Sequence, residues 1–347
     1  MNAPILSLCG IQQTYTSRNA SGWGSTTVRA VDGIDLDVFE GETLAIVGES
    51  GSGKSTLAKL LLMLSLPTSG KALFNGKDFA SLDGELRHQF RREVQAVFQD
   101  PASSLNPRMT IEKTLRFIVK RHALRSATDI RPFLADCLMR VGLNPPERYL
   151  ERYPHELSGG QQQRVAIARA MMMAPKVIVA DEPLSSLDVS VQAQILDLMK
   201  SLRTSTNVGL VVISHDLGAM QSIADRTAVM YRGRIVEIGE NIYTRPRHPY
   251  TKLLLDARLA VDPTRGRIRS MAPMPSIPTL AATPDGCRFR PRCHHAVTLC
   301  ETADPMLRPM PTGQAQVACH RAEELSRHFE ISGGGERAPS TGDSLNA

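Results

Sequence analysis

The run Gly48-Glu49-Ser50-Gly51-Ser52-Gly53-Lys54-Ser55-Thr56 has the make-up of a polyphosphate cradle. Glycines let backbone N–H groups converge on phosphate oxygens, and a helix opening after them adds positive potential. Lys54 can reach terminal phosphates, and the Ser55 hydroxyl can ligate Mg²⁺. The expected nucleotide contacts are therefore Gly48, Ser50, Gly51, Gly53, Lys54, Ser55 and Thr56. Farther along, Val177-Ile178-Val179-Ala180-Asp181-Glu182 ends an apolar run in two carboxylates, where open α/β sheets present their ligands. Asp181 is suited to hold Mg²⁺, directly or through water, and Glu182 to polarise the water that attacks a γ-phosphate in line.

A third run, Leu157-Ser158-Gly159-Gly160-Gln161-Gln162-Gln163-Arg164, offers Ser158 as a helix cap. The exposed first-turn N–H groups and the glycines Gly159 and Gly160 make a second phosphate site. With this run the chain resembles the ABC ATPases, whose signature it matches throughout. The resemblance implies that each ATP lies between the phosphate loop of one chain and the signature of another, so a dimer of cassettes is expected. It also implies roles for other residues. Tyr15 would stack on adenine. Gln99, in Val97-Phe98-Gln99-Asp100-Pro101, would sense Mg²⁺ and the membrane partner. Asp188 would belong to the D-loop Ser185-Ser186-Leu187-Asp188, where Ser186 stands in place of a common alanine. His215, in Ile213-Ser214-His215-Asp216, would contact the γ-phosphate and orient Glu182 as the second catalytic residue. The Mg²⁺ ligands expected are Ser55, Gln99 and Asp181.

The elements that must position these groups can be read from periodicity. Thr43-Leu44-Ala45-Ile46-Val47 reads as a buried strand feeding the phosphate loop, and Leu57, Leu60, Leu61 and Leu64 mark the helix after it. Nearly all-apolar runs at 177–180 and 209–213 fit a parallel sheet covered on both faces. Short alternating segments near 5–8 and 34–38 read as half-buried strands around a Ser/Gly/Thr-rich insert, 17–27, expected as a mobile loop, and Asn75-Gly76 marks a hairpin turn. Helical patterns at 111–124 and 130–141 point to an inserted helical subdomain. The expected class is thus α/β: a P-loop NTPase cassette of ABC type over 1–247, with its helical subdomain at about 100–156. A separate, small loop-rich C-terminal extension follows at 248–331, and a disordered tail at 332–347.

Three further stretches look like the oligopeptide/dipeptide importer subfamily: 100–108, Arg152-Tyr153-Pro154-His155-Glu156, and His248-Pro249-Tyr250-Thr251. The resemblance implies an ATP-hydrolysing subunit that powers uptake of peptides or related small solutes. It implies two membrane-spanning permease subunits, a second ABC ATPase subunit that is the same or a different chain, and an extracytoplasmic solute-binding protein acting indirectly. The segment 99–121, joining Gln99 to the helical insert, would transmit nucleotide state to the permeases. The first residues lack a secretory leader and no apolar run is long enough to span a bilayer, so the chain is expected as a peripheral protein on the cytoplasmic face of the inner membrane. Lys+Arg exceeds Asp+Glu by only 41 to 35, so the charge reads as a solvated surface and no nucleic-acid partner is expected. The competing class is a soluble ABC ATPase acting on nucleic acid or ribosomes, which usually carries two cassettes or long coiled-coil insertions; neither is visible.

Four of the six cysteines fall late in the chain: Cys287, Cys293, Cys300 and Cys319. A reducing compartment disfavours disulfides, and a core-poor module needs a staple. Four thiolates supply a full ligand set for a [4Fe–4S] cluster, with Zn²⁺ as the alternative and His294, His295 or His320 as replacement ligands. Arg288, Arg290 and Arg292 would favour the thiolates and offset an anionic centre. Some peptide-importer ATPases carry such a cluster in a similar module, which adds to this reading. Unliganded thiols are the plain alternative.

Overall fold

The apolar runs Thr43–Val47, Gly209–Ser214 and Val177–Asp181 become neighbouring parallel strands in the computed structural model. The structure describes residues 3–18, 25–259, 285–311, 313 and 315–329. Side chains on these strands alternate between two cores. Ala45, Val47, Ile178, Ala180, Leu210 and Val212 enter one, and Leu44, Ile46, Val177, Val179, Val211 and Ile213 the other. A strand whose side chains point alternately to two covered faces must be apolar at every position, which is why these runs do not alternate with polar residues.

The sheet they belong to has eight strands among the described residues. In order they are Arg308–Pro309, Ala315–Val317, Arg234–Gly239, Arg226–Tyr231, Thr43–Val47, Gly209–Ser214, Val177–Asp181 and Val94–Val97. A second, antiparallel sheet runs Ser25–Val38, Leu6–Arg18, Ser69–Phe74 and Lys77–Asp78. Asn75 and Gly76 turn its last hairpin with φ of 48° and 78°, the left-handed pair that a tight two-residue turn requires.

The insert expected as a mobile loop is shorter than 17–27. The first two strands pair as far as Arg18 with Ser25, so Ser17, Arg18 and 25–27 extend a long hairpin, and 19–24 lie outside the described residues. Thr27 carries a β-branched side chain that suits a strand, a preference outweighed in the sequence by the surrounding glycine and serine.

Between Val97 and Val177 the chain is helical, with helices Ile111–Arg121, Ile130–Arg140 and Glu147–Leu150 before the longer Gly159–Met171. Thr110 caps the first, its hydroxyl accepting from Lys113 N–H at 3.3 Å. Leu115, Leu134 and Leu138 bury against Val165 and Ile167, so the insert shares the core of the sheet's one face.

The extension after 247 differs from the expectation in two ways. It opens with a helix, Pro249–Leu259, rather than with loops, and its strand Ala315–Val317 pairs antiparallel with Arg234–Gly239. It therefore continues the central sheet instead of standing apart. A three-residue strand is too short to show a period-2 pattern, so nothing in the local sequence marks it. The prolines 263–284 and the tail 332–347 lie outside the described residues.

Candidate functional site

The phosphate-type loop joins strand Thr43–Val47 to helix Lys54–Leu61. Gly53, the residue before the helix, has φ 104°, and a Cβ there would lie 2.1 Å from the Ala30 carbonyl oxygen. Glycine is thus required twice at that point, for conformation and for space. Lys54 is buried and its ammonium donates to the carbonyls of Gly48 at 2.8 Å and Glu49 at 3.0 Å. Burial lowers its pKa, opposed by the charges of Glu182, Asp181 and Glu49.

Asp181, at the end of its strand, accepts from the Ser55 hydroxyl at 3.3 Å. Burial raises its pKa; the Ser55 bond opposes this and the Glu182 charge adds to it. The donors here are a hydroxyl and a carboxylate, hard oxygen ligands of the kind Mg²⁺ takes. Glu182 is held by its backbone and its side chain. Its N–H donates to Ile213 O at 2.9 Å, while its Oε2 accepts from Gln99 Nε2 at 3.2 Å and lies 3.5 Å from His215 Nδ1. It also has φ 46°, a left-handed backbone that a glutamate adopts only where its surroundings enforce it. Glu182, Ser185, Ser214, His215 and Asp216 line a cleft at this end of the sheet. The arrangement can bind a phosphate chain at Lys54, hold a hard cation at Ser55 and Asp181, and present an oriented carboxylate to a water.

Ser158 caps helix Gly159–Met171 in a reciprocal pair: its hydroxyl accepts from Gln161 N–H at 3.3 Å, and its N–H donates to Gln161 Oε1 at 3.0 Å. Gly160 has a packing reason as well, since a Cβ there would lie 2.6 Å from Val191 Cγ1 on the helix Val189–Thr206, whose first turn follows Asp188. Among the described residues no hydrogen bond joins 158–160 to the phosphate-type loop. Tyr15, 45% exposed, lies on the second sheet opposite Val28. The structure thus brings Lys54, Ser55, Gln99, Asp181, Glu182 and His215 together and leaves Tyr15 and 158–160 outside that network.

The extension reaches this site by contacts the sequence does not signal. Arg292 forms a two-pronged ion pair with the Glu49 carboxylate, both N–O distances being 2.8 Å, and Glu49 N–H donates to the Tyr250 hydroxyl at 3.0 Å. Arg288 pairs with Asp32 and donates to the Arg232 carbonyl, and Arg290 lies 3.4 Å from Glu301. These arginines serve carboxylates rather than thiolates, which corrects the role expected for them.

Cys287, Cys293, Cys300 and Cys319 line one enclosed pocket with His248, His295 and His320. Burial pushes the Cys287 thiol up to about 11 and the Cys319 thiol up to about 12, and raises that of Cys293. Among the described residues no group of three or more His, Cys, Asp or Glu side chains stands close enough to hold a metal ion.

A family model described as "ABC transporter" matches residues 31–185, and one described as "Oligopeptide/dipeptide transporter, C-terminal region" matches residues 236–300. The chain is 46% identical over 319 residues to a probable peptide ABC transporter ATP-binding protein of Sinorhizobium fredii, covering 90% of this chain and 89% of that one. It is 44% identical over 306 residues to a di/tripeptide transport ATP-binding protein of Pseudomonas aeruginosa, covering 87% and 93%. A solved dimeric ATP-binding cassette, in a post-hydrolysis state bound to ADP and Pi, aligns with a TM-score of 0.59 at 31% identity, covering 68% of this chain and 98% of that one.

Proposed function

Because this chain belongs to the ABC transporter ATP-binding proteins and is an ATPase, we propose that it powers import of peptides or related small solutes. In this reading it acts with a second cassette, the same or a different chain, and with two membrane-spanning permease subunits. A binding protein outside the membrane delivers the solute. Relatives named for peptide and di/tripeptide transport support the solute class. No helix among the described residues is long and apolar enough to cross a membrane. The proposed location is peripheral, on the cytoplasmic face of the inner membrane, with 99–121 relaying nucleotide state to the permeases.

The observation that carries the catalytic assignment is the Glu182 carboxylate, held between Gln99 and His215 beside Lys54 and Asp181. Lys54 and the backbone of 48–56 bind the phosphates, Glu182 takes the proton of the attacking water, and His215 orients it. Ser55 and Asp181, with Gln99, would hold Mg²⁺, and the chemistry Mg²⁺ supplies there is neutralisation of charge on the terminal phosphates. Tyr15 stacks on adenine, while Ser158, Gly159, Gly160 and Asp188 meet the nucleotide of the other cassette. We place the division of the chain at 247/248, with the extension docked on the cassette's sheet. Replacing Glu182 by Gln should keep Mg-ATP binding and lower steady-state phosphate release about 10²- to 10⁴-fold. A wild-type rate in that variant removes the assignment.

For the cysteine pocket the finer reading is a [4Fe–4S] cluster, and it rests on four thiols sharing one enclosed space. Zn²⁺ on some of the same thiols, with His295 or His320 beside them, is the alternative. Anaerobic purification followed by iron, sulfide and zinc analysis checks this: iron and sulfide at four each per chain support the cluster, zinc alone replaces it, and no metal leaves four thiols.

A further inference from the structure

Glu49 sits inside the phosphate loop, yet both its ends are held by residues from the extension. Its N–H donates to the Tyr250 hydroxyl at 3.0 Å, and its carboxylate receives both prongs of the Arg292 guanidinium at 2.8 Å. Arg292 is itself fixed. Its side chain is 5% exposed, and the guanidinium lies 5.8 Å from the Tyr231 and Phe289 ring centres and 6.0 Å from that of Tyr250. It ends the one-turn helix Arg290–Arg292 and precedes Cys293, so the folding of the cysteine pocket sets where it points.

A carboxylate on a phosphate loop is an electrostatic liability, since it repels the ligand the loop must hold. Glu49 is close enough for its charge to act on Lys54, and Lys54 already donates to the Glu49 carbonyl. The ion pair with Arg292 neutralises that carboxylate and keeps it from swinging toward the ammonium that phosphates must reach. We propose that Arg292 is a positioning residue for the ATP site: by holding Glu49 it keeps the phosphate loop receptive, so that the cysteine-bearing extension sets the affinity of the chain for ATP. This rests on the reading of 48–55 as the ATP phosphate site.

A residue that only docked the extension would act whatever the charge at position 49. Arg288, paired with Asp32 and the Arg232 carbonyl, is an anchor of that kind. The test is equilibrium binding of Mg-ATP to the full-length chain, with the thermal midpoint recorded for every variant. Arg292→Ala should weaken binding roughly tenfold, equivalent to about 1.4 kcal/mol, and Glu49→Gln added to it should recover most of the loss. Arg292→Lys, which keeps the charge but loses the fork, should lie between wild type and Arg292→Ala. It carries the comparison if the alanine variant does not fold. Unchanged ATP affinity in Arg292→Ala, or a loss that Glu49→Gln does not recover, makes Arg292 a docking residue and overturns the proposal. Lys54→Ala that binds ATP as tightly as wild type marks the different failure, that of the phosphate-site reading, and takes the proposal with it.

Discussion

The proposed nucleotide site and the cysteine pocket are built from different kinds of structure on one chain. At the first, Lys54 opens the helix that follows strand Thr43–Val47, and Asp181 and Glu182 stand at the end of Val177–Asp181 in the same parallel sheet, so the sheet fixes their spacing and the loop backbone supplies donors. At the second, four thiols come from short segments spread over 287–319: Cys300 lies in the one-turn helix Leu299–Thr302, Cys293 follows the one-turn helix Arg290–Arg292, and Cys319 follows strand Ala315–Val317. Burial there favours the neutral form, with Cys287 and Cys319 pushed up to about 11 and about 12. A metal entering that pocket must displace protons. The contrast is one of scaffold: a sheet fixes the spacing of charged side chains, while short segments bring four thiols into one enclosed pocket.

Single substitutions in the two regions test this difference. The largest effect expected is at Lys54, where removal of a buried cation that bonds a ligand's charge costs about 1.5–3 kcal/mol, roughly ten- to a hundredfold in ATP affinity. Equilibrium dialysis of Lys54→Ala should show that loss; an affinity equal to that of wild type would remove Lys54 from the phosphate site. Next come the signature glycines. Gly160→Ala drives a Cβ against the stiff Val191 side chain and should lower unfolding stability by about 1–3 kcal/mol, whereas Gly159→Ala, whose nearest neighbour is Leu187 Cδ2 at 3.4 Å, should cost less. Urea unfolding ranks the pair, and equal costs would remove the packing argument.

A pH-dependent effect lies at the seam between the regions. Glu237 is buried beneath the junction, accepting from the N–H groups of Arg247 at 2.9 Å and His248 at 3.0 Å, and burial pushes its carboxyl from 4.5 up to about 7. The folded state therefore keeps a proton that the unfolded chain releases. The contribution is full below pH 4.5 and is lost as pH rises through about 7. Thermal midpoints measured from pH 5 to 8 should fall in wild type relative to Glu237→Gln, and a constant gap between the two would contradict the assigned shift.

Much of this was open to sequence reading where function and local structure coincide. The loop 48–55 lies between a strand and a helix within one short segment, and the helices Ile111–Arg121 and Ile130–Arg140 begin where their apolar periods begin. What stayed hidden depends on distance along the chain or on backbone angle. Arg292 meets Glu49 across 243 residues, and its neighbourhood of cysteines pointed to a different partner. The left-handed backbone of Glu182 leaves no mark on residue type, since glutamate gains nothing from it. Gly160 carried a phosphate-site explanation that concealed its contact with Val191. Strand Ala315–Val317 is defined by its pairing with Arg234–Gly239 and not by its own composition.

The most direct test of the account is ATP hydrolysis by the complex of this chain with its permeases, reconstituted in lipid vesicles, with and without solute-loaded binding protein. Hydrolysis should rise when short peptides are delivered and fall about 10²- to 10⁴-fold when this chain carries Glu182→Gln. Hydrolysis indifferent to every delivered solute, and raised instead by nucleic acid or ribosomes, would contradict it.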